Sequence, residues 1–98
     1  MEKGGELYLG WGRVLLLENI ERLGSIAAAA RAMHLAYRNA WLWVEAVNSL
    51  APRPLVEKTT GGAGGGRTRL TDEGKRAVDE YRRLRAGFQE WLKRAGRD

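Results

Sequence analysis

GSIAAAARAMHLAYRNAW, residues 24–41, decides the fold. Gly24 suits the left-handed residue that ends a helix, and Ser25 suits the N-cap of the next one. From Ile26 to about Met33 the spacing predicts a short helix with Ile26, Ala29, Ala30 and Met33 on one face. The alanines let a neighbouring helix approach closely. His34 and Leu35 make a turn. A further helix is expected from Ala36 to Ser49, with Ala40, Val44 and Val47 as its buried line. It opens with Tyr37, Arg38 and Asn39. Two short helices, a tight turn and polar residues opening the second helix form the layout of a helix-turn-helix, whose second helix lies in the DNA major groove. Asparagine suits adenine and arginine suits guanine. The competing reading of the same residues is a solvated polar face.

Upstream, Arg13 to Leu23 places Leu16, Leu17, Ile20 and Leu23 on one helical face and Glu18, Glu21 and Arg22 on the other. Residues 1–6 read as a frayed end, and Leu7 to Trp11 as a short edge strand or a lead-in. Downstream, Pro52 and Pro54 stop the helix. LVEKTT (55–60) reads as a strand, GGAGGG (61–66) as a turn and RTRL (67–70) as a returning strand, together a hairpin. Thr71 opens a long helix with Asp72 and Glu73 in its first turn, where the helix dipole favours acids. Ala77, Tyr81, Leu84, Phe88, Trp91 and Ala95 recur in alternating steps of four and three, the spacing of a coiled-coil seam, widened by Val78 and Leu92. A helix of about 24 residues is some 36 Å long, more than a domain this small covers, so Phe88 and Trp91 call for a partner. A second copy of the chain is one reading. Packing on its own domain is the other.

The expected fold is therefore mainly α with a small β-hairpin wing. It is a winged helix-turn-helix (residues 1–70) whose long C-terminal helix (residues 71–98) belongs to the same compact domain and dimerises.

Composition agrees. Ninety-eight residues make one domain. There is no cysteine, so no disulfide or thiolate metal site is available, and a reducing compartment is compatible. No apolar run approaches the roughly 20 residues of a membrane span, and residues 1–13 lack the apolar core of a signal peptide. A cytoplasmic protein with no membrane partner is expected. The net charge is +5, with 13 arginines against four lysines. Arginine grips phosphate bidentately and stacks on bases, which favours a nucleic-acid partner. His34 is the single histidine and cannot make a metal site alone. No nucleophile–base pair or buried carboxylate pair stands out, so neither catalysis nor a cofactor is expected. Gly61-x4-Gly66-Arg67-Thr68 imitates a phosphate-binding loop, but arginine replaces the lysine and a strand-like run follows instead of a helix.

Trp41 and Trp43 stand two apart and point to nearly opposite sides of a helix. Trp41 lies one turn after Tyr37, on the DNA side. There its indole N–H suits a phosphate, while a half-buried core role is the competing reading. Lys58, Arg67 and Arg69 flank the glycine turn, placed to hold phosphates or enter the minor groove. Gly61, Gly62, Gly64, Gly65 and Gly66 would let the wing backbone pass close to a phosphate strand. The whole DNA-binding set expected is Ser25, Ala36, Tyr37, Arg38, Asn39, Trp41, Lys58, Arg67 and Arg69. The dimerisation set is Ala77, Tyr81, Leu84, Phe88 and Trp91.

Three segments together carry a family resemblance: a Gly-Ser-Ile helix start, Tyr37-Arg38-x-Ala40-Trp41, and Pro54-Leu-Val-Glu followed by the glycine wing and Leu70-Thr-x-x-Gly74. Over residues 13 to 81 the chain resembles the DNA-binding domain of the molybdate-responsive ModE regulators and, more distantly, the winged helix-turn-helix of LysR-type regulators. The resemblance implies a homodimeric transcription regulator. Its third helix would read the major groove, the wing would touch the minor groove or backbone, and the last helix would dimerise. Tyr37, Arg38 and Trp41 match the recognition-helix motif, and the five glycines match the wing. Ala36 departs from the serine usual there, which removes a cap worth roughly 1 kcal/mol and a phosphate-binding hydroxyl. His34 stands where glycine is common. Members of the family carry molybdate-binding domains beyond this region. The expectation is thus a stand-alone regulator on double-stranded DNA, any molybdate response coming from a separate effector-sensing protein. The alternative is a winged-helix protein-interaction module that binds a protein through Trp41, Trp43 and the aromatic seam.

Overall fold

Gly24 breaks the chain where the sequence says it should, at φ 84°, after a helix α1 that spans Trp11–Leu23. The computed structural model describes residues 10–59 and 66–96, with the backbone of 2–3 and 6–7. Helix α1 starts two residues earlier than the apolar spacing suggests. Val14, Leu16, Leu17 and Ile20 are buried on it, whereas Leu23, expected on the same face, is exposed because the chain turns away at Gly24. Ahead of α1, Glu2–Lys3 (β1) pairs antiparallel with Glu6–Leu7 (β2), so a small hairpin replaces the frayed end expected there.

Helix α2 covers Ile26–Ala32. The Ser25 hydroxyl accepts a hydrogen bond from the Ala28 amide at 2.9 Å, satisfying one of the orphan donors at the helix start. His34 then takes φ 55°, a left-handed turn residue that is uncommon outside glycine but enriched in histidine. The Leu35 amide bonds back to the Ala30 carbonyl at 2.8 Å, closing the turn. Helix α3 covers Tyr37–Leu50, with Ala36 as an N-cap that has no side chain able to cap. Ala40, Val44 and Val47 are its buried line, as the spacing predicts.

Val56–Thr59 (β3) and Arg67–Leu70 (β4) pair antiparallel, with Val56 opposite Leu70 and Glu57 opposite Arg69. The outer edge of β4 is occupied by the end of α1. The Thr68 amide donates to the Gly24 carbonyl at 3.0 Å, and the Leu70 amide donates to the Glu21 carboxylate at 2.9 Å. An edge strand is thereby covered, and the wing is fixed to the helical body.

Helix α4 spans Asp72–Gly96, with Thr71 as its N-cap and Asp72 and Glu73 in its first turn, as the sequence suggests. The Thr71 hydroxyl accepts from the Gly74 amide at 3.0 Å and donates to the Pro54 carbonyl at 2.8 Å. Only the first two turns of α4 enter the core, through Gly74, Ala77 and Val78. Ala77, expected at a dimer seam, is 8% exposed and packs inside its own domain, because α4 must cover Leu55, Val56 and Leu70 before it leaves. Tyr81 is also engaged at home, stacked on Trp11 with ring centroids 6.3 Å apart. Beyond it the helix projects, and the molecule reaches 56 Å in its longest dimension. The exit is held by a bidentate pair between Glu18 and Arg82 and by the Arg85 guanidinium, 3.9 Å from the Trp11 ring centroid. The hydrogen bond to Glu18 holds the Arg82 proton more firmly than usual. No helix among the described residues is long and apolar enough to cross a membrane.

Candidate nucleic-acid interface

Helix α3 turns about 100° per residue, so its buried line fixes where every other side chain points. Arg38, Leu42, Glu45 and Ser49 lie opposite Ala40, Val44 and Val47, and all four are exposed. Tyr37 and Trp41 flank that outward stripe on the side of the wing. Asn39 lies on the other flank, toward Trp43. The sequence grouped Tyr37, Arg38 and Asn39 as consecutive opening residues. The structure joins Tyr37, Arg38 and Trp41 around one open notch of about 340 Å³ and sets Asn39 apart from them.

The two tryptophans part company as their spacing requires. Trp41 keeps 43% of its surface exposed. Trp43 is half-buried against the core, with Arg13 above its ring at 5.8 Å from the centroid and Gly12 directly beside it. A β-carbon at position 12 would stand in ordinary contact with that ring, 3.4 Å from it.

A second groove of about 190 Å³ runs between α3 and the wing, from Tyr37 and Trp41 to Lys58 and Thr68, with Ile26 at its side. Strand alternation explains which basic residues reach it. Lys58 shares a hairpin face with Val56, Thr68 and Leu70, the face turned to the helices. Arg67 and Arg69 share the opposite face with Glu57 and Thr59. The three cations that the sequence treats alike therefore have different occupations. Lys58 is exposed at the mouth of the groove. Arg69 pairs with Glu57 at 3.0 Å. Arg67 folds over Gly24, with Nη1 2.7 Å from where a Cβ would stand there, and its Nη2 donates to the Glu21 carbonyl at 2.8 Å. Arg67 thus fastens the wing to α1.

Ser25 caps α2, its hydroxyl accepting the Ala28 amide and keeping its own proton to donate. Ala36 is exposed and offers no hydrogen-bonding group. Gly66 is exposed, while Gly61, Gly62, Gly64 and Gly65 lie outside the described residues.

Sequence reasoning missed two features of this face. Leu42, 43% exposed, stands on the outward stripe, and only the angular position relative to Ala40 could have shown it. Asn48 is the other. Its side-chain oxygen accepts from the Leu55 and Val56 amides at 2.8 and 3.1 Å, and its amide donates to the Val56 carbonyl at 3.2 Å. It mimics a strand partner and fixes the wing at a set distance from α3.

Among the described residues no group of three histidines, cysteines or acids is placed to hold a metal. The face offers an arginine, two aromatic rings and a lysine on a rigid frame. Such groups bind by charge, stacking and groove contact.

Comparison with known proteins bears on this arrangement. Residues 11–75 match the model of the bacterial regulatory helix-turn-helix proteins, lysR family. The chain is 49% identical to the molybdenum transport protein ModE of Azotobacter vinelandii over 82 residues, which are 84% of this chain and 30% of that protein. It is 43% identical to the transcriptional regulator ModE of Haemophilus influenzae over 75 residues, 76% of this chain and 29% of that protein. With the DNA-binding transcriptional dual regulator ModE of Escherichia coli it shares 39% identity over 69 residues, 70% of this chain and 26% of that protein. The chain spans less than a third of the length of these relatives. The matched segment holds all three helices of the helix-turn-helix, the wing and the opening of α4, and the chain belongs to the bacterial regulatory helix-turn-helix proteins of the lysR family, in a ModE-like form.

Proposed function

We propose that this chain binds double-stranded DNA sequence-specifically as a homodimer and so regulates transcription. The observation that carries the proposal is the exposed Tyr37–Arg38–Trp41 cluster on the first turns of α3, with Lys58 across the groove. N-terminal residues of a recognition helix are those that reach base edges. Arg38 supplies a bidentate reader for guanine, and Lys58 supplies a phosphate contact from the wing. Asn39 reads from the other flank of the helix. Arg69 and Arg67 add phosphate contacts at the wing's far face. Leu84, Phe88 and Trp91 on the projecting part of α4 give the second copy its contact, each more than half exposed. An effector signal, a molybdenum species among the candidates suggested by the relatives' names, would reach this unit from other protein segments.

Recovery of bound duplexes from a random pool, with sizing of the complex, tests this directly. The expected outcome is a two-fold symmetric consensus with half-sites about one helical turn apart, bound by two chains. A pool that stays random after repeated rounds would refute it. The competing reading, protein docking through the tryptophans, is weakened by Trp43, which the core half-buries.

A further inference from the structure

We infer that the notch between Tyr37 and Trp41 is a thymine-reading subsite that receives the C5-methyl group of a thymine beside the base pair addressed by Arg38. The inference rests on the proposed DNA-binding function and names what that face recognises.

The notch is lined by Tyr37, Arg38 and Trp41. Tyr37 and Trp41 stand one helical turn apart and keep 56% and 43% of their surfaces exposed. Two large rings left open to water on the first turns of a helix favour an apolar occupant. In the major groove the base-pair edges present donors, acceptors and a single kind of apolar group, the thymine methyl. A phosphate is a poorer match. Each ring carries one donor at most, so a phosphate contact leaves most of the aromatic surface wet, and Lys58 already supplies a cation at the adjoining groove. The two subsites are also coupled in space. Arg38 lines the same notch, so a methyl seated between the rings fixes the register in which the guanidinium meets its own base.

The test uses the duplex selected by this chain from a random pool. Thymines in each half-site are replaced one at a time by deoxyuridine, which removes the methyl and leaves pairing unchanged. Affinities are measured for the parent chain, Tyr37→Ala and Trp41→Ala. One buried methyl is worth about fourfold in affinity. The parent chain is expected to lose about that much at one thymine per half-site, next to the base whose preference Arg38→Ala relaxes. Tyr37→Ala and Trp41→Ala are expected to bind the thymine and uracil duplexes alike at that position. Uracil tolerated at every position overturns the inference while leaving sequence-specific binding intact. A uracil penalty that survives in both variants overturns it too, because the methyl is then read elsewhere, Leu42 being the next apolar side chain on the stripe. A pool that yields no consensus defeats the DNA-binding function itself and the inference with it.

Discussion

The carbonyl oxygen of Leu55 occupies the space that a β-carbon on Gly74 would need, closer than a carbon and an oxygen can stand. The same oxygen accepts the Thr71 amide at 2.9 Å, so it cannot move away without losing that bond. Leu-Thr-x-x-Gly is thus a geometric requirement for laying the first turn of α4 on the start of the wing.

Gly74→Ala is accordingly expected to destabilise the fold by about 2 kcal/mol through overpacking. Gly87, thirteen residues along the same helix, has nothing within 4 Å of its notional β-carbon. Gly87→Ala is expected to stabilise by about 0.5–1 kcal/mol, the ordinary helix preference. Urea melts of the two variants should move in opposite directions. Equal shifts of the same sign would show that the close approach at Leu55 is not a constraint.

Asn48 offers a second check on how the wing is held. Asn48→Ala leaves the Leu55 and Val56 amides without their acceptor and is expected to cost about 2 kcal/mol. Asn48→Asp keeps both accepted bonds but turns a lone pair on the Val56 carbonyl, where the amide now donates. It should fall between parent and alanine variant in a thermal melt. Amide exchange at Leu55 and Val56 should accelerate in the alanine variant first.

Much of this architecture was legible in the sequence. The Gly24–Ser25 stop and start, the Ala40–Val44–Val47 line and the two strands follow from local rules: a left-handed stop, a short polar cap, a helical period, a β-branched run. What the sequence left open depends on tertiary placement. Arg67 and Arg69 look equivalent to Lys58 until strand register puts them on the opposite hairpin face. Ala77 and Tyr81 belong to the seam by period, yet Ala77 enters the core and Tyr81 stacks on Trp11 of α1 before the helix projects. Asn39 adjoins Arg38 in sequence but lies about 100° from it around the helix, on the flank away from Trp41. Periodicity gives a helix its faces. It does not say which neighbour each face meets.

The different occupations of the basic residues separate their effects on DNA. Arg38→Ala should cost about 1–3 kcal/mol on the selected duplex and relax preference at one position. Lys58→Ala should weaken all sequences alike and reduce the slope of log affinity against log salt by about 1. Arg67→Ala should also weaken binding without altering the consensus, and it alone should lower the melting temperature, since its guanidinium ties the wing to the Glu21 carbonyl. Titrations at three salt concentrations, alongside melts of the free proteins, distinguish the three cases.

The far half of α4 supplies the last expectation. Leu84, Phe88 and Trp91 follow one another at steps of four and three, and Phe88 and Trp91 stack with ring centroids 6.0 Å apart. All three lie past Tyr81, where the helix has left its own core, so a charge introduced there disturbs no core packing. Phe88→Lys is expected to raise the dimer dissociation constant more than tenfold, while the stability of the separated chain changes by less than about 0.5 kcal/mol, as at any exposed site. Leu84→Lys should behave in the same way. Ala77→Lys, in contrast, places a charge in the monomer core and should unfold the chain. Sedimentation velocity across a concentration series reads the first effect and a urea melt the second. If Phe88→Lys and Leu84→Lys sediment like the parent at every concentration, the two copies do not meet along this stripe.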